Sequence, residues 1–291
     1  MTEFDEFLQS EVEKVKSASF PVSAGTLERL LINKTSCSNI HPNPEDEFCF
    51  PDIGPNYGII SSYAAQFNHN IRLDLPLMDE PLIVQKIHPH GYMLLNGHHR
   101  WAAAMRIGVR KVPIRIVNSV FESDIRKMLE TSENDKRATF DLDEVIFCPE
   151  TDPEVEKLPG LFHFGIHKKR LRVGIPVLFR YLKSNGYDIW VYSGDFYSID
   201  DIRAYFKRYS VLVDGIITGT KKKRKDGGNE SPGVEKLITS KYNETLHADN
   251  NLVLVTHSRS KDFEEAQIDC IPSEWTREVI AAVERFGKNQ Q

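Results

Sequence analysis

Residues 94–108, LLNGHHRWAAAMRIG, pass from an apolar run through a glycine into an alanine-rich segment. The apolar run predicts a strand, and the segment after Gly97 predicts a short helix that ends at Gly108. Gly97 permits close approach of the backbone, and the first turn of a helix has N–H groups without intrahelical partners. Two histidines and an arginine at this point therefore suit an anion better than they suit core packing.

The basic side chains of this turn match the groups that a phosphate requires. Arg100 can make a bidentate contact to phosphate, and His98 and His99 can donate hydrogen bonds or move protons. We therefore expect a nucleotide or phosphate site at Gly97, His98, His99 and Arg100. The alternative is a packed His99 beside an Arg100 that serves as a surface ion pair.

The region around this turn resembles the ParB/sulfiredoxin-like superfamily over about residues 28–118. The resemblance is carried by SNIHPNPEDEF at 38–48 and by EPLIVQKIHPHGYMLLNGHHRWAAAMRIGVRKVPIRIV at 80–117. It implies a small mixed α+β domain in which the G-x-x-R turn binds ATP, ADP or CTP. In the related free serine kinases an acidic residue serves as base, and Glu45, Asp46 or Glu47 would fill that role here. A solvated acidic loop is the alternative for these three residues.

A second stretch, ATFDLDEVIF at 138–147, places two carboxylates after an apolar run that predicts a strand. The twofold alternation of extended chain puts Asp141 and Asp143 on the same side. Such a pair repels, and a hard cation such as Mg²⁺ relieves the repulsion. One carboxylate can then attack phosphorus while the other manages a proton. The alternative is that both are capping or turn residues.

This half of the chain resembles the haloacid dehalogenase-like (HAD) phosphatases over about residues 137–285. DLDEV at 141–145, IWVYSGD at 189–195 and LHADN at 246–250 are similar to motifs I, II and IV. The resemblance implies an aspartyl-phosphate on Asp141, a hydroxyl from Ser193 on the transferring phosphoryl group, and Mg²⁺ on Asp141, Asp143 and Asp249. The chain has Asn250 where the family often has a second acid. The motif III lysine is Lys223 or Lys225 by preference, among Lys221, Lys222, Lys223, Lys225 and Lys236.

The order of these patterns predicts an α/β protein with two domains. We expect a helical extension over 1–27, a ParB/sulfiredoxin-like nucleotide-binding domain over 28–132, and a HAD-like domain with a Rossmann-like parallel sheet over 137–288. Polar SENDKR at 132–137 is the expected boundary. The insertion at 148–170 is short for a HAD cap, and such a small cap would leave the cleft open to a bulky substrate.

Composition limits the class of protein. The chain has 291 residues, of which 40% are hydrophobic and 27% charged, and its formal net charge is −5. This predicts a globular, cytoplasmic protein without a membrane segment, since no apolar run approaches the roughly 18 residues needed to cross a bilayer. The four cysteines are scattered without a CxxC pair, which argues against a disulfide framework or a zinc site.

The main functional expectation is a Mg²⁺-dependent phosphatase with an N-terminal nucleotide-binding or kinase-like domain. Its partners would be a nucleotide and a phosphorylated substrate, either a small molecule or a nucleic-acid end. The alternatives are a nucleic-acid-directed protein, namely a ParB-like nuclease or a polynucleotide end-processing enzyme, and a non-catalytic regulator. The run KKKRK at 221–225 favours the nucleic-acid alternative, the net acidity counts against it, and the intact Asp141–Asp143 pair counts against the regulator.

Overall fold

The computed structural model describes residues 3–148, 154–157, 165–219 and 232–289. The chain divides into two compact units, Met1–Asn118 and Ser119–Gln291. Within the described ranges, none of the helices has both the length and the apolar character that a bilayer-spanning segment needs. The α/β class that the sequence predicts is confirmed, with both helices and mixed sheets in the structure.

The first unit is one mixed sheet with four helices. The helices are α1 (Glu3–Ala18), α2 (Thr26–Leu31), α3 (Tyr57–Arg72) and α4 (His98–Arg106), and the strands are β1 (Phe20–Pro21), β2 (Lys34–Ser36), β3 (Ile40–Pro42), β4 (Leu82–His88), β5 (Tyr92–Asn96) and β6 (Lys111–Ile116). The strand order is β2-β6-β4-β5-β3, and β1 pairs with the end of β4. Strands β4 and β5 are antiparallel, whereas β6 and β3 run parallel to their respective neighbours β4 and β5.

Helix α4 lies in the centre of the first core. Trp101 and the three alanines that follow it are all buried, as are Leu82 and Leu94 of the adjacent strands. Small alanine side chains let the helix pack closely on several sides, and the Trp101 indole N–H donates to the Cys37 carbonyl at 3.3 Å. The beginning of α4, where the predicted phosphate site lies, is therefore held rigidly by the core.

The second unit contains five helices and eight strands in its described part. The helices are α5 (Glu122–Glu130), α6 (Ile175–Ser184), α7 (Ile199–Arg208), α8 (Pro232–Lys241) and α9 (Trp275–Asn289), and the strands are β7 (Lys136–Asp141), β8 (Phe147–Cys148), β9 (Arg170–Leu171), β10 (Tyr187–Tyr192), β11 (Gly215–Ile217), β12 (Glu244–Ala248), β13 (Leu252–His257) and β14 (Phe263–Gln267). A π-helical turn, Leu142–Ile146, follows β7 directly. Strands β8 and β9 form a separate two-stranded pair at the two ends of the predicted cap insertion. Most of this insertion lies outside the described residues.

The main sheet of this unit has the order β11-β10-β7-β12-β13-β14. Strands β11, β10, β7 and β12 are parallel, whereas β13 and β14 are antiparallel to their neighbours. The links 249–251 and 258–262 are too short for a crossover, so these last strands must turn back. The sheet is therefore more mixed than predicted. Strand β14, which the sequence did not predict, is an edge strand whose alternate residues are exposed.

Both faces of the parallel part are buried. Ala138 and Phe140 of β7 face a large core that includes α6 and α9, while Trp190 of β10 packs with Ile125 of α5 and Ile238 of α8 on the other face. The sequence-based division placed 121–131 in the first domain. The structure places α5 in the second unit because its apolar face covers this sheet.

The buried carboxylate of Asp188 forms hydrogen bonds with the polar segment that the sequence predicts as the domain boundary. Asp188, at the start of β10, accepts a hydrogen bond from the Ser132 hydroxyl, one from Asn134 Nδ2 at 2.7 Å and one from the Tyr242 hydroxyl at 2.7 Å. Burial raises the pKa of Tyr242, so this phenol stays a hydrogen-bond donor. Residues 132–134 are thus part of the folded unit and not a free connection.

The contact of Gly215 with Trp190 gives a stability test. A Cβ at Gly215 would lie 1.9 Å from Trp190 Cδ2, on the neighbouring strand, so the indole ring would have to move out of its packed position. We expect Gly215→Ala to lower the free energy of unfolding of the second unit by at least about 1–3 kcal/mol in urea denaturation.

Gly287→Ala is the matched control, because a Cβ there meets nothing within 4 Å on the exposed side of α9. It should raise stability by roughly 0.5–1 kcal/mol. Equal unfolding midpoints for the two variants would show that Trp190 does not require a glycine beside it.

Candidate functional site

Asp141 is the last residue of β7 and begins the π-helical turn. Its Oδ1 accepts hydrogen bonds from the backbone N–H groups of Asp143 and Glu144, both at 2.8 Å. The carboxylate therefore caps the turn with one oxygen. This is the capping role that the sequence left as an alternative, and it leaves the second oxygen of a half-buried side chain for other chemistry.

The carboxylate of Asp143 is held by two hydroxyl groups. The Ser193 hydroxyl donates to Oδ2 at 2.5 Å, and the Tyr197 hydroxyl donates to Oδ1 at 2.7 Å. Ser193 follows β10 directly and is fully buried. Since β7 and β10 are parallel neighbours with Asp141 opposite Tyr192, their carboxyl ends meet at one edge of the sheet. The structure thus brings together the two residues that motifs I and II single out.

Tyr197 was missed in the sequence analysis. It lies in the loop between β10 and α7, where no periodic pattern assigns a direction to a side chain. Its ring is buried, and its carbonyl accepts a hydrogen bond from the Thr218 hydroxyl at 3.1 Å. The Ser193 hydroxyl also accepts from the Asp195 N–H at 2.9 Å. This loop is therefore fixed around the Asp143 carboxylate at several points.

Asp249 follows β12 and is fixed mainly through its backbone. Its N–H donates to the Leu252 carbonyl at 2.8 Å, and its carbonyl accepts from the Trp275 indole at 3.0 Å. Its side-chain Oδ1 accepts from the Asn250 N–H at 2.6 Å. Because β12 pairs with β7 in parallel, Asp249 lies at the same edge of the sheet as Asp141.

Asn250, which stands in place of a second acid, links three elements. Its Nδ2 donates to the Glu144 carbonyl at 3.1 Å, and its Oδ1 accepts from an Arg172 Nη at 2.5 Å. The Arg172 guanidinium also lies over the Trp275 ring, 4.6 Å from the ring centre. A carboxylate could accept from Arg172 but could not donate to the Glu144 carbonyl, so the amide serves both contacts.

The predicted metal ligands are not gathered around one point. Within the described ranges, no group of three His, Cys, Asp or Glu side chains is placed to hold a metal ion. The oxygen chemistry of Asp141, Asp143 and Asp249 suits Mg²⁺, but both oxygens of Asp143 accept hydroxyl hydrogen bonds in this arrangement. Mg²⁺ binding stays a prediction. The preferred motif III lysines, Lys223 and Lys225, lie outside the described residues, and Lys236 is exposed on α8.

In the first unit, Gly97 forms the turn before α4 in a left-handed conformation that favours glycine. Its φ is +100°, and a Cβ there would lie 2.7 Å from Leu82. Arg100 folds back over this turn: its Nη atoms donate to the Glu80 carbonyl at 2.6 Å and to Asn96 Oδ1 at 3.2 Å. The Glu80 carboxylate lies 3.6 Å away. The Arg100 side chain therefore holds the Gly97 turn in place by hydrogen bonds within the protein. Phosphate binding by Arg100 stays a prediction.

The two histidines hold loops in place. Nε2 of the buried His98 accepts a hydrogen bond from the Asn43 N–H at 3.2 Å, and Nε2 of His99 accepts one from the Asn56 N–H at 3.2 Å. The His98 proton is accordingly assigned to Nδ1, which lies 3.4 Å from an Asp46 carboxylate oxygen. Both nitrogens of His98 thus face the protein, an arrangement that suits positioning better than direct phosphate contact.

The acidic loop at 45–47 contributes to the same cluster. Asp46 Oδ1 caps the short 3₁₀ helix Glu47–Cys49 by accepting from the Phe48 N–H at 3.1 Å. The Phe48 ring packs against both histidine rings, with ring centres 5.4 and 5.0 Å apart. Glu45 and Glu47, two of the three candidates for the base, are exposed. Of the three candidate acids, the structure thus places Asp46 in contact with the histidines.

Comparison with known proteins supports the ParB part of the sequence resemblance. Residues 77–133 match the family model of the ParB N-terminal domain, a segment that contains β4, β5, α4, β6 and α5. No curated protein matches the chain. The HAD resemblance therefore stays a prediction.

Two similar solved structures are of the C-terminally truncated chromosome-partitioning protein ParB from Caulobacter crescentus. The one complexed with CTP-gamma-S is 17% identical, with 35% of this chain and 54% of that chain covered and a TM-score of 0.24. The one complexed to the centromeric parS site is 18% identical, with 34% and 48% covered and a TM-score of 0.23. This chain thus spans about half the length of each ParB chain.

Proposed function

We propose that the second unit is a phosphohydrolase that uses Asp141 as nucleophile, and that the first unit is a ParB-like nucleotide-binding module. The observation that carries the hydrolase proposal is the contact of Ser193 with Asp143, at 2.5 Å, beside Asp141. In the sheet, β7 has β10 as its neighbour on one side and β12 on the other, so the strand order reverses at β7. In open α/β sheets, ligands bind beyond the carboxyl ends of strands at such a reversal of order.

The proposed reaction has two steps. A carboxylate oxygen of Asp141 forms a bond to phosphorus while the bond to the leaving oxygen breaks, and the leaving oxygen takes a proton from Asp143, which enters this step in its protonated form. Water then attacks the aspartyl-phosphate, Asp143 takes a proton from that water, and phosphate is released as the Asp141 carboxylate is restored. The Ser193 hydroxyl would donate to the transferring group. Among the described residues, the carboxylates do not converge on one point that could hold Mg²⁺.

A second candidate, favoured by the match of residues 77–133, is a protein directed at nucleic acid. It would be a ParB-like nuclease or a polynucleotide end-processing enzyme. An assay of the full chain with small phosphate esters, free nucleotides and 3′-phosphorylated oligonucleotides, each with and without Mg²⁺, separates the candidates. Phosphate release from small esters supports the phosphatase, release from oligonucleotide ends supports end processing, and strand cleavage supports the nuclease.

Asp141→Asn tests the nucleophile. The amide keeps an oxygen that can accept from the two N–H groups of the π-helical turn but is a poor nucleophile, so phosphate release should fall to background while the fold is retained. The measurement is phosphate release on a substrate found in that screen, with circular dichroism as the check of folding. Wild-type rates in a folded variant would overturn the assignment.

Tyr197→Phe tests the positioning of Asp143. Loss of this donor lets the Asp143 carboxyl group leave the orientation that proton transfer requires, so kcat should fall while KM stays unchanged. We expect the rate to fall by about tenfold, on the order of one charge-assisted hydrogen bond.

Tyr181→Phe is the matched control, since Tyr181 is a partly buried tyrosine of α6 away from the site. It should leave both kcat and KM unchanged. A Tyr197→Phe enzyme with the wild-type kcat would show that this hydroxyl does not act on Asp143 during the reaction.

Arg100→Ala tests the nucleotide module. Calorimetry of the full chain with ATP, ADP and CTP should show binding to the wild-type protein that this variant loses, because the guanidinium closes the Gly97 turn. Hydrolysis of an aryl phosphate should be retained. Arg106→Ala, at the other end of α4, is the control and should keep nucleotide binding. If none of the three nucleotides binds the wild-type protein at millimolar concentration, the histidine–arginine cluster serves the fold alone.

A further inference from the structure

A groove of about 520 Å³ lies in the second unit at the edge of the sheet opposite Asp141. Its walls are the end of α5 with the two residues that follow it, one face of α7 and the segment 212–214, which leads into the first residue of β11. Because β7, β10 and β11 are parallel, the amino ends of the strands lie here and their carboxyl ends lie at the Asp141 edge. The groove is therefore separate from the proposed hydrolase site.

The floor of this groove is apolar. Met128 and Val213 are buried, whereas the neighbouring Leu212 leaves 64% of its surface exposed at the rim. An exposed leucine beside a concave apolar surface gains from any ligand that removes both surfaces from water. The volume falls within the roughly 300–1,000 Å³ that small-molecule sites occupy.

Two cations line one wall. Arg203 and Lys207 lie one turn apart on α7 and are exposed, and no hydrogen bond or ion pair joins the side chain of either to another residue in the described part of the chain. Like charges at this spacing repel each other. An anionic group placed between them would relieve the repulsion and accept from both.

Asp214, the acidic residue that lines the groove, does not repel such a ligand strongly, because its charge is already paired. Both oxygens of Asp214 accept from Lys183 Nζ at 2.7 Å, and Oδ2 also accepts from the Ile189 N–H at 2.8 Å. Its charge is therefore balanced within the protein. The unbalanced charge that faces the groove is the positive charge of α7.

We propose that this groove binds a small amphipathic anion. Its phosphate, sulfate or carboxylate group lies between Arg203 and Lys207, and its apolar body covers Leu212 and Met128. The proposal does not depend on the hydrolase assignment, since no residue of the groove belongs to the Asp141 site.

Octyl phosphate, kept below its micelle concentration, is the probe, and calorimetry of the full chain is the measurement. Octanol and octyltrimethylammonium test the need for negative charge. The double variant Arg203→Gln/Lys207→Gln removes both cations. Arg285→Gln/Lys288→Gln is the matched control, since these cations are also exposed and lie about one turn apart on α9. Leu212→Ser removes the apolar rim without altering the charge.

We expect octyl phosphate to bind with one-to-one stoichiometry, and octanol and the cationic probe to bind at least about tenfold more weakly, a difference of about 1.4 kcal/mol. The Arg203/Lys207 double variant should bind octyl phosphate about tenfold or more weakly than the wild type does. Leu212→Ser should bind it several-fold more weakly, because one apolar contact with the ligand is removed. The α9 double variant should bind as the wild type does. Circular dichroism checks that each variant is folded.

Three results would overturn the proposal. One is failure of octyl phosphate to bind the wild-type protein at millimolar concentration. Another is equal affinity for octanol, which would show that the cations take no part. The third is an equal loss of affinity in the α9 double variant, which would show a general effect of net charge and not a site.

Discussion

The parallel pairing of β7 with β10 is the constraint on which the second unit depends. It places Asp141 opposite Tyr192, so the residues that follow each strand must share one edge of the sheet. The contacts of Ser193 and Tyr197 with Asp143 both follow from that register. A shift of either strand by one residue would turn its side chains to the opposite face and separate these groups.

The sequence predicted the elements of this edge but not the contacts between them. The strand before Asp141 and the strand before Ser193 were predicted because apolar runs ending in polar residues are typical of buried parallel strands. The role of Tyr197 could not be predicted, because it lies in a loop and loop residues show no periodic pattern that assigns a direction to their side chains. Strand β14 was missed because its exposed edge position allows charged residues that weaken the apolar signal. The placement of α5 was also missed, because the polar residues 132–134 resemble a linker until the buried Asp188 gives them partners.

In the first unit the sequence predicted that a helix starts after Gly97 but not the role of the side chains at that start. An arginine and two histidines at a helix start are compatible with phosphate binding and with structural hydrogen bonds alike. The structure shows that all three form contacts inside the protein, Arg100 with Glu80 and the histidines with two loop N–H groups. Which groups exchange these contacts for a ligand is a matter of relative free energy, and composition and spacing carry no information about it.

The strand order of the second unit also has a consequence for its folding during synthesis. Arg137 of β7 and Thr245 of β12 are hydrogen-bonded neighbours, yet 108 positions separate them in the chain. During synthesis β7 leaves the ribosome long before β12, and until then one edge of the central apolar strand has no partner. Unpaired apolar edges of this kind are prone to aggregation. The sheet is thus completed late, and a chain that stops before residue 244 would retain Asp141 and the Ser193 loop while lacking the strand that pairs with β7 on its other side.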